Sequence, residues 1–164
     1  MTTKNSTLVS NFEASPKTMN AAHQLHGVKR IAQGTVALAI ADVGASDIVM
    51  LAPIPSNASI TSIKLASDDL DTGTTLTANV GLYSTAGVVA DVDAYASVVT
   101  DFRAATAFTE FAFEARDINK CGQKVWEDAG ATADPKDYYY VAVTFAAAGD
   151  QAGDFSFQIE YIVN

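Results

Sequence analysis

Residues 155–163 place Phe155, Phe157, Ile159, Tyr161 and Val163 at every second position, with Ser156, Gln158, Glu160 and Ile162 between them. Side chains on a strand point to opposite faces in turn, so such a segment carries one apolar face. A helix needs a period of 3.6 and cannot present these residues on one side. The same alternation recurs at Val36, Leu38 and Ile40, at Leu76, Ala78, Val80 and Leu82, and at Val141, Val143 and Phe145. Each of these strands must bury its apolar face against a second layer. The expected core is therefore Val36, Leu38, Ile40, Leu76, Val80, Leu82, Val141, Val143, Phe157, Ile159 and Tyr161.

Shorter strand candidates are Ile48–Leu51, Ser59–Ala66 and Phe108–Ala115. Turn residues fall between them, at Asp42–Asp47, Pro53–Asn57, Asp68–Gly73, Ser84–Gly87 and Ala146–Gly153. Many strands joined by short turns predict an all-β fold, an antiparallel β-sandwich or jelly roll. One short helix is expected near 118–129, where Ile118, Cys121, Val125 and Ala129 recur at helical spacing. Asp117 is its expected N-cap and Gly130 its stop, while Gly122 weakens it by about 1 kcal/mol. Asp91–Thr106 reads as a long loop with a helical turn.

The chain has 164 residues, the size of one domain. Before the first alternating strand, residues 1–27 are polar, interrupted by Pro16 and without a period. They are expected to form an extended N-terminal arm with one helical turn at Asn20–Leu25, leaving 28–164 as the sandwich. Charge divides at the same place. Residues 1–30 hold Lys4, Lys17, Lys29 and Arg30 against Glu13, a net of +3. Residues 31–164 hold six basic and eighteen acidic side chains, a net of −12. An overall charge of −9 argues against nucleic acid as a partner, since phosphate binding needs clustered Lys and Arg. Cys121 is the only cysteine, so no intrachain disulfide forms. There is no apolar run of membrane-spanning length and no apolar stretch behind Lys4, so neither a membrane nor export is expected and synthesis in a cytoplasm is.

No catalytic constellation stands out, and no cofactor motif is present. His23 and His26 share an i, i+3 spacing that a metal pair needs, but no cysteine lies near them. Asp68, Asp69 and Asp71 form the densest carboxylate group. Hard oxygen ligands on a loop suit calcium, and Asp with Gly also suits a tight turn; the turn is the preferred reading. Cys121 is expected as a small core residue, and Tyr138, Tyr139 and Tyr140 as strand residues.

Three pieces in order resemble the head decoration, or cement, proteins of tailed bacteriophages. The first runs Ile60-Thr61-Ser62-Ile63-Lys64-Leu65-Ala66-Ser67-Asp68-Asp69-Leu70-Asp71-Thr72-Gly73. The second is the next strand, ending Asn79-Val80-Gly81-Leu82-Tyr83, and the third is Gly122-Gln123-Lys124-Val125-Trp126-Glu127-Asp128-Ala129-Gly130, followed by Asp134-Pro135. The resemblance implies a β-sandwich on the exterior of an assembled capsid, with the major capsid protein as partner, often as a homotrimer, and no catalytic residues. A competing reading is a sandwich module of a head fibre or host-attachment protein that recognises a surface glycan. Under the first reading the arm packs on another subunit, a sibling or the capsid itself. Phe12, Pro16 and Met19 then serve as apolar anchors, and Lys4, Lys17, Lys29 and Arg30 steer towards acidic surfaces.

Overall fold

A computed structural model of the protein describes residues 4–21 and 25–163. Eight strands follow in order: β1 (Lys29–Leu38), β2 (Ile48–Pro55), β3 (Ala58–Ser67), β4 (Thr77–Ser84), β5 (Val89–Val99), β6 (Thr106–Glu110), β7 (Tyr138–Ala147) and β8 (Gly153–Val163). They form two four-stranded sheets, ordered β1-β8-β3-β6 and β2-β7-β4-β5, and every pairing is antiparallel. This order is the eight-stranded jelly roll. Among the described residues two short α-helices accompany it, α1 (Thr7–Glu13) in the N-terminal segment and α2 (Val125–Asp128) before β7. Among the described residues no helix is long and apolar enough to cross a membrane.

The alternation holds through the central strands. β8 buries Phe155, Phe157 and Ile159 and β3 buries Ile60, Ile63 and Leu65 beside it. The facing sheet supplies Ile54, Val80, Leu82, Val141, Val143 and Phe145. Val36 and Tyr161 are only partly buried, because β1 lies at a sheet edge and Tyr161 near the strand's end. Ile40 is 57% exposed, contrary to its place in the alternation. The strand stops at Leu38, and a 3-10 turn at Ile40–Asp42, closed by the Asp42 carboxylate on the Ala39 N–H, swings Ile40 outward.

Five further expectations are corrected. Asp91–Thr106 is not a loop: it holds most of β5 and a 3-10 turn at Asp101–Arg103. Pairing of β5 with β4 slips three times, so its buried residues, Tyr95, Ala96 and Val99, do not alternate. Pro53 and Pro55 belong to β2 rather than to a turn, which an edge strand tolerates because proline lacks only an outward N–H. Phe108–Ala115 is a strand only to Glu110, whose carboxylate takes the Ile63 and Ala112 N–H groups and the Ser62 hydroxyl and ends the pairing. The expected helix at 118–129 divides into a 3-10 turn at Ile118–Lys120 and α2. Gly122 sits at φ 87°, a conformation no helix contains, and leaves Ile118 and Cys121 exposed. Cys121 is therefore a surface residue, not a core one.

Candidate interaction surface

The N-terminal segment is not wholly extended. Ser6 caps α1, its hydroxyl accepting the Val9 N–H at 3.3 Å. The chain then folds back along the helix. Thr18 N–H donates to Asn11 O, Asn11 Nδ2 donates to Asn20 Oδ1 at 2.8 Å, and Asn20 Nδ2 donates to Leu8 O at 3.0 Å. Two asparagines thus close a hook stabilised by its own polar groups. No residue of α1 is buried. The helix was illegible because seven residues complete barely two turns, and Thr7, Val9, Ser10 and Asn11 are weak helix formers. The turn expected at Asn20–Leu25 falls partly outside the described residues, as does His23. Leu25 N–H does bond Ala21 O at 3.3 Å.

Phe12, Lys17 and Met19 come together around a shallow hollow of about 250 Å³ that Leu25 and His26 also line. Lys17 Nζ stands 4.3 Å above the Phe12 ring, a cation–π arrangement. Phe12 is 62% and Met19 89% exposed, far more than an arm packed on its own body would show. Lys4 and Pro16, both exposed, do not line this hollow. Lys29 and Arg30 open β1, where Lys29 pairs with Glu160 on β8, and that hydrogen bond holds the Glu160 carboxyl below its usual range. At the start of α1, Thr7 and Leu8 face Ser59, Thr61, Ile162, Cys121 and Gly122 across a cleft of about 370 Å³.

The Asp68–Gly73 segment is a turn, as read. Asp71 accepts N–H bonds from Gly73, Thr75 and Leu76, Asp69 accepts the Asp71 N–H, and Asp68 accepts the Asp154 N–H. Across from them Asp150 takes both the N–H and the hydroxyl of Thr72. These carboxylates are committed to backbone donors that the loop would otherwise leave unpaired. The Leu76 N–H above all holds the Asp71 carboxyl below its ordinary 3.8. A lowered native value means stability that is present above 3.8 and lost as pH falls through the native value. Asp71→Asn is expected to be less stable at pH 7 and to lose less stability than the wild type between pH 5 and pH 2. Urea melts at the two pH extremes would show it; parallel acid curves would refute the assignment.

Sequence reasoning missed a buried ion pair. Arg116 Nη2 and Asp128 Oδ2 lie 2.9 Å apart, with side chains 1% and 2% exposed. Tyr95 donates its hydroxyl to the same Asp128 oxygen at 3.1 Å. Arg116 also donates to Ile60 O, Lys120 O and Gln123 O, and its guanidinium lies 5.1 Å from the Phe113 ring centroid. The three carbonyls come from β3 and from the 120–123 loop, so one side chain fixes the loop that walls the cleft facing Leu8. No motif signals this: Tyr95, Arg116 and Asp128 are far apart in sequence, and each reads as a surface residue.

Neither a family model nor a curated protein matches the sequence. Solved structures do match the fold. A chain of the "Cyanophage Pam1 capsid asymmetric unit" aligns over 100% of this chain and 100% of its own length, at TM-score 0.55 and 17% identity. A chain of the "Capsid of Ralstonia phage GP4" aligns over 84% of this chain and 86% of its own, at TM-score 0.60 and 20% identity. At these identities the likeness is one of fold.

Proposed function

We propose that this chain is a structural virion protein that binds the outer surface of an assembled bacteriophage capsid and stabilises it, as a decoration or cement protein. The observation that carries the reading is the jelly roll shared, nearly end to end, with chains of two bacteriophage capsid structures. The exposed hook supports it. Phe12 and Met19 with Lys17 offer a ready patch of apolar area and positive charge, on a chain whose remainder is strongly acidic.

In this reading the major capsid protein is the partner and the N-terminal segment, residues 1–27, is a contact element separate from the sandwich of 28–164. Lys4, Phe12, Pro16, Lys17, Met19, Lys29 and Arg30 are its contact residues. The protein is made in the host cytoplasm, acts as a homo-oligomer and works by contact area rather than catalysis. Binding only the assembled shell stabilises that shell by linkage. Exposed ion pairs contribute up to about 1 kcal/mol each, so buried apolar area dominates the affinity.

The test is co-sedimentation with shells of the encoding phage that lack this protein. The full chain is expected to bind, and Phe12→Ala with Met19→Ala to weaken binding at least about tenfold, the loss of roughly 1.4 kcal/mol. High salt should reproduce only a small part of that loss. Absence of binding by the full chain would refute the function. Binding unaltered in the double variant would remove the hook from the contact.

A further inference from the structure

The four edge strands of the sandwich are unequally protected. An edge strand presents unpaired N–H and C=O groups, a template for a strand from another chain. β2 carries Pro53 and Pro55. β6 has five residues, and its pairing slips between Leu65 and Ser67. β5 slips three times, and Val98 stands at φ 55°. β1 has none of these devices. It pairs with β8 at ten successive positions without a slip, and from Ile31 to Leu38 it has neither proline nor charge. Among the described residues no backbone group bonds its outer edge.

We infer that the outer edge of β1 pairs antiparallel with β1 of a second copy of this chain, about a two-fold axis at Gly34, joining two four-stranded sheets into one of eight. A second copy is the occupant because β1 complements itself. Its charge is polarised: Lys29 and Arg30 open the strand, and Asp42 and Asp47 follow its end. Antiparallel pairing brings the basic start of each copy towards the acidic exit of the other, whereas parallel pairing sets like against like. In this register Arg30 lies opposite Leu38, Ile31 opposite Ala37 and Gln33 opposite Thr35, so no like charges meet. Core-facing residues stay on one face throughout, as sheet continuity requires.

The same contact accounts for exposed apolar residues that the fold leaves uncovered. Val28, Ile31 and Ile40 are 79%, 55% and 57% exposed and lie at the start, middle and exit of β1. Two-fold pairing brings Val28 of each copy towards Ile40 of the other. β2 neighbours β1 across the sandwich, and its exposed Ile48 and Met50 extend the same flank. The contact forms between free copies and holds whether or not the chain binds a capsid.

Sedimentation velocity on the full chain tests it with two double variants. Gln33→Lys with Thr35→Lys places like charges opposite each other twice across the axis. Gln33→Glu with Thr35→Lys places opposite charges there instead. Both positions are exposed, so circular dichroism should match the wild type. The wild type is expected at twice 17.2 kDa. The like-charged variant should associate at least about tenfold more weakly and exchange its β1 amide hydrogens faster, while the charge-matched variant keeps the wild-type mass. A monomeric wild type overturns the proposal, as does a like-charged variant of unchanged mass. So does a three-chain mass indifferent to both substitutions, or a charge-matched variant as weak as the like-charged one.

Discussion

Arg116→Met is expected to destabilise the protein by about 3–5 kcal/mol, the cost of removing one partner from a buried ion pair. The loss arises from what remains. Asp128 keeps only the Tyr95 hydroxyl as a close donor, in a site where both charged side chains are almost fully enclosed. The carbonyls of Ile60, Lys120 and Gln123 lose their shared donor as well. Replacing both charges, Arg116→Met with Asp128→Leu, should recover part of the stability, because it removes the uncompensated carboxylate while the three carbonyls and the Tyr95 hydroxyl stay without their partners. Urea unfolding of the wild type, the single variant and the double variant gives the comparison. A single variant within about 1 kcal/mol of the wild type would show that water enters the site.

The pH dependence follows from the same residues. Burial pushes the Asp128 carboxyl up from 3.8 to about 6, against the pull of Arg116. A carboxyl raised in the folded state adds stability that is fully present below 3.8 and lost as pH rises through about 6. Without Arg116 the folded value rises further, and the upper limit of that window moves up with it. The deficit of Arg116→Met should therefore be smaller at pH 5 than at pH 7. An equal deficit at both would assign the effect to lost packing instead of charge.

Phe102→Ala is expected to cost about 3–5 kcal/mol, the usual range for truncating a fully buried aromatic. Phe102 sits in the 3-10 turn between β5 and β6 with no exposed surface. Its ring packs edge-on to Phe155 of β8, 5.0 Å between centroids, and lies 5.5 Å from Phe111. Its carbonyl accepts the Leu70 N–H, and Arg103 next to it donates to Leu76 O at 2.7 Å. Phe102 thus joins the β5–β6 connection to the Asp71 turn and to the last strand. The urea midpoint should fall with an unchanged slope. Phe102→Leu, which keeps much of the volume, should cost less. A cost below about 1 kcal/mol for alanine would mean that the surrounding rings collapse into the space.

The proposed capsid contact and the proposed self-pairing of β1 involve different parts of the chain. The hook offers apolar anchors with positive charge, and β1 offers a backbone edge. Loss of one need not remove the other, so the double variants at positions 33 and 35 and those at 12 and 19 separate the two contacts.

What the sequence determined by itself is the set of strands that alternate and the face each buries. Parity is local: successive side chains on a pleated strand point opposite ways whatever the neighbours are, so Phe157, Ile159, Val80, Leu82, Val141 and Val143 were legible as core. The Asp71 turn was legible for the same reason, since a carboxylate reaches backbone N–H groups a few residues on. The exposure of Phe12 and Met19 followed from a segment with too little apolar area to bury. Only the tertiary structure decided which strands lie at edges, and with that the proline-bearing β2, the slipping β5 that turns Tyr95 inward, and the unprotected β1. It alone enclosed Arg116 with Asp128. These depend on partners brought together from distant parts of the chain. A period of two records which way a side chain points, but not what waits on the other side.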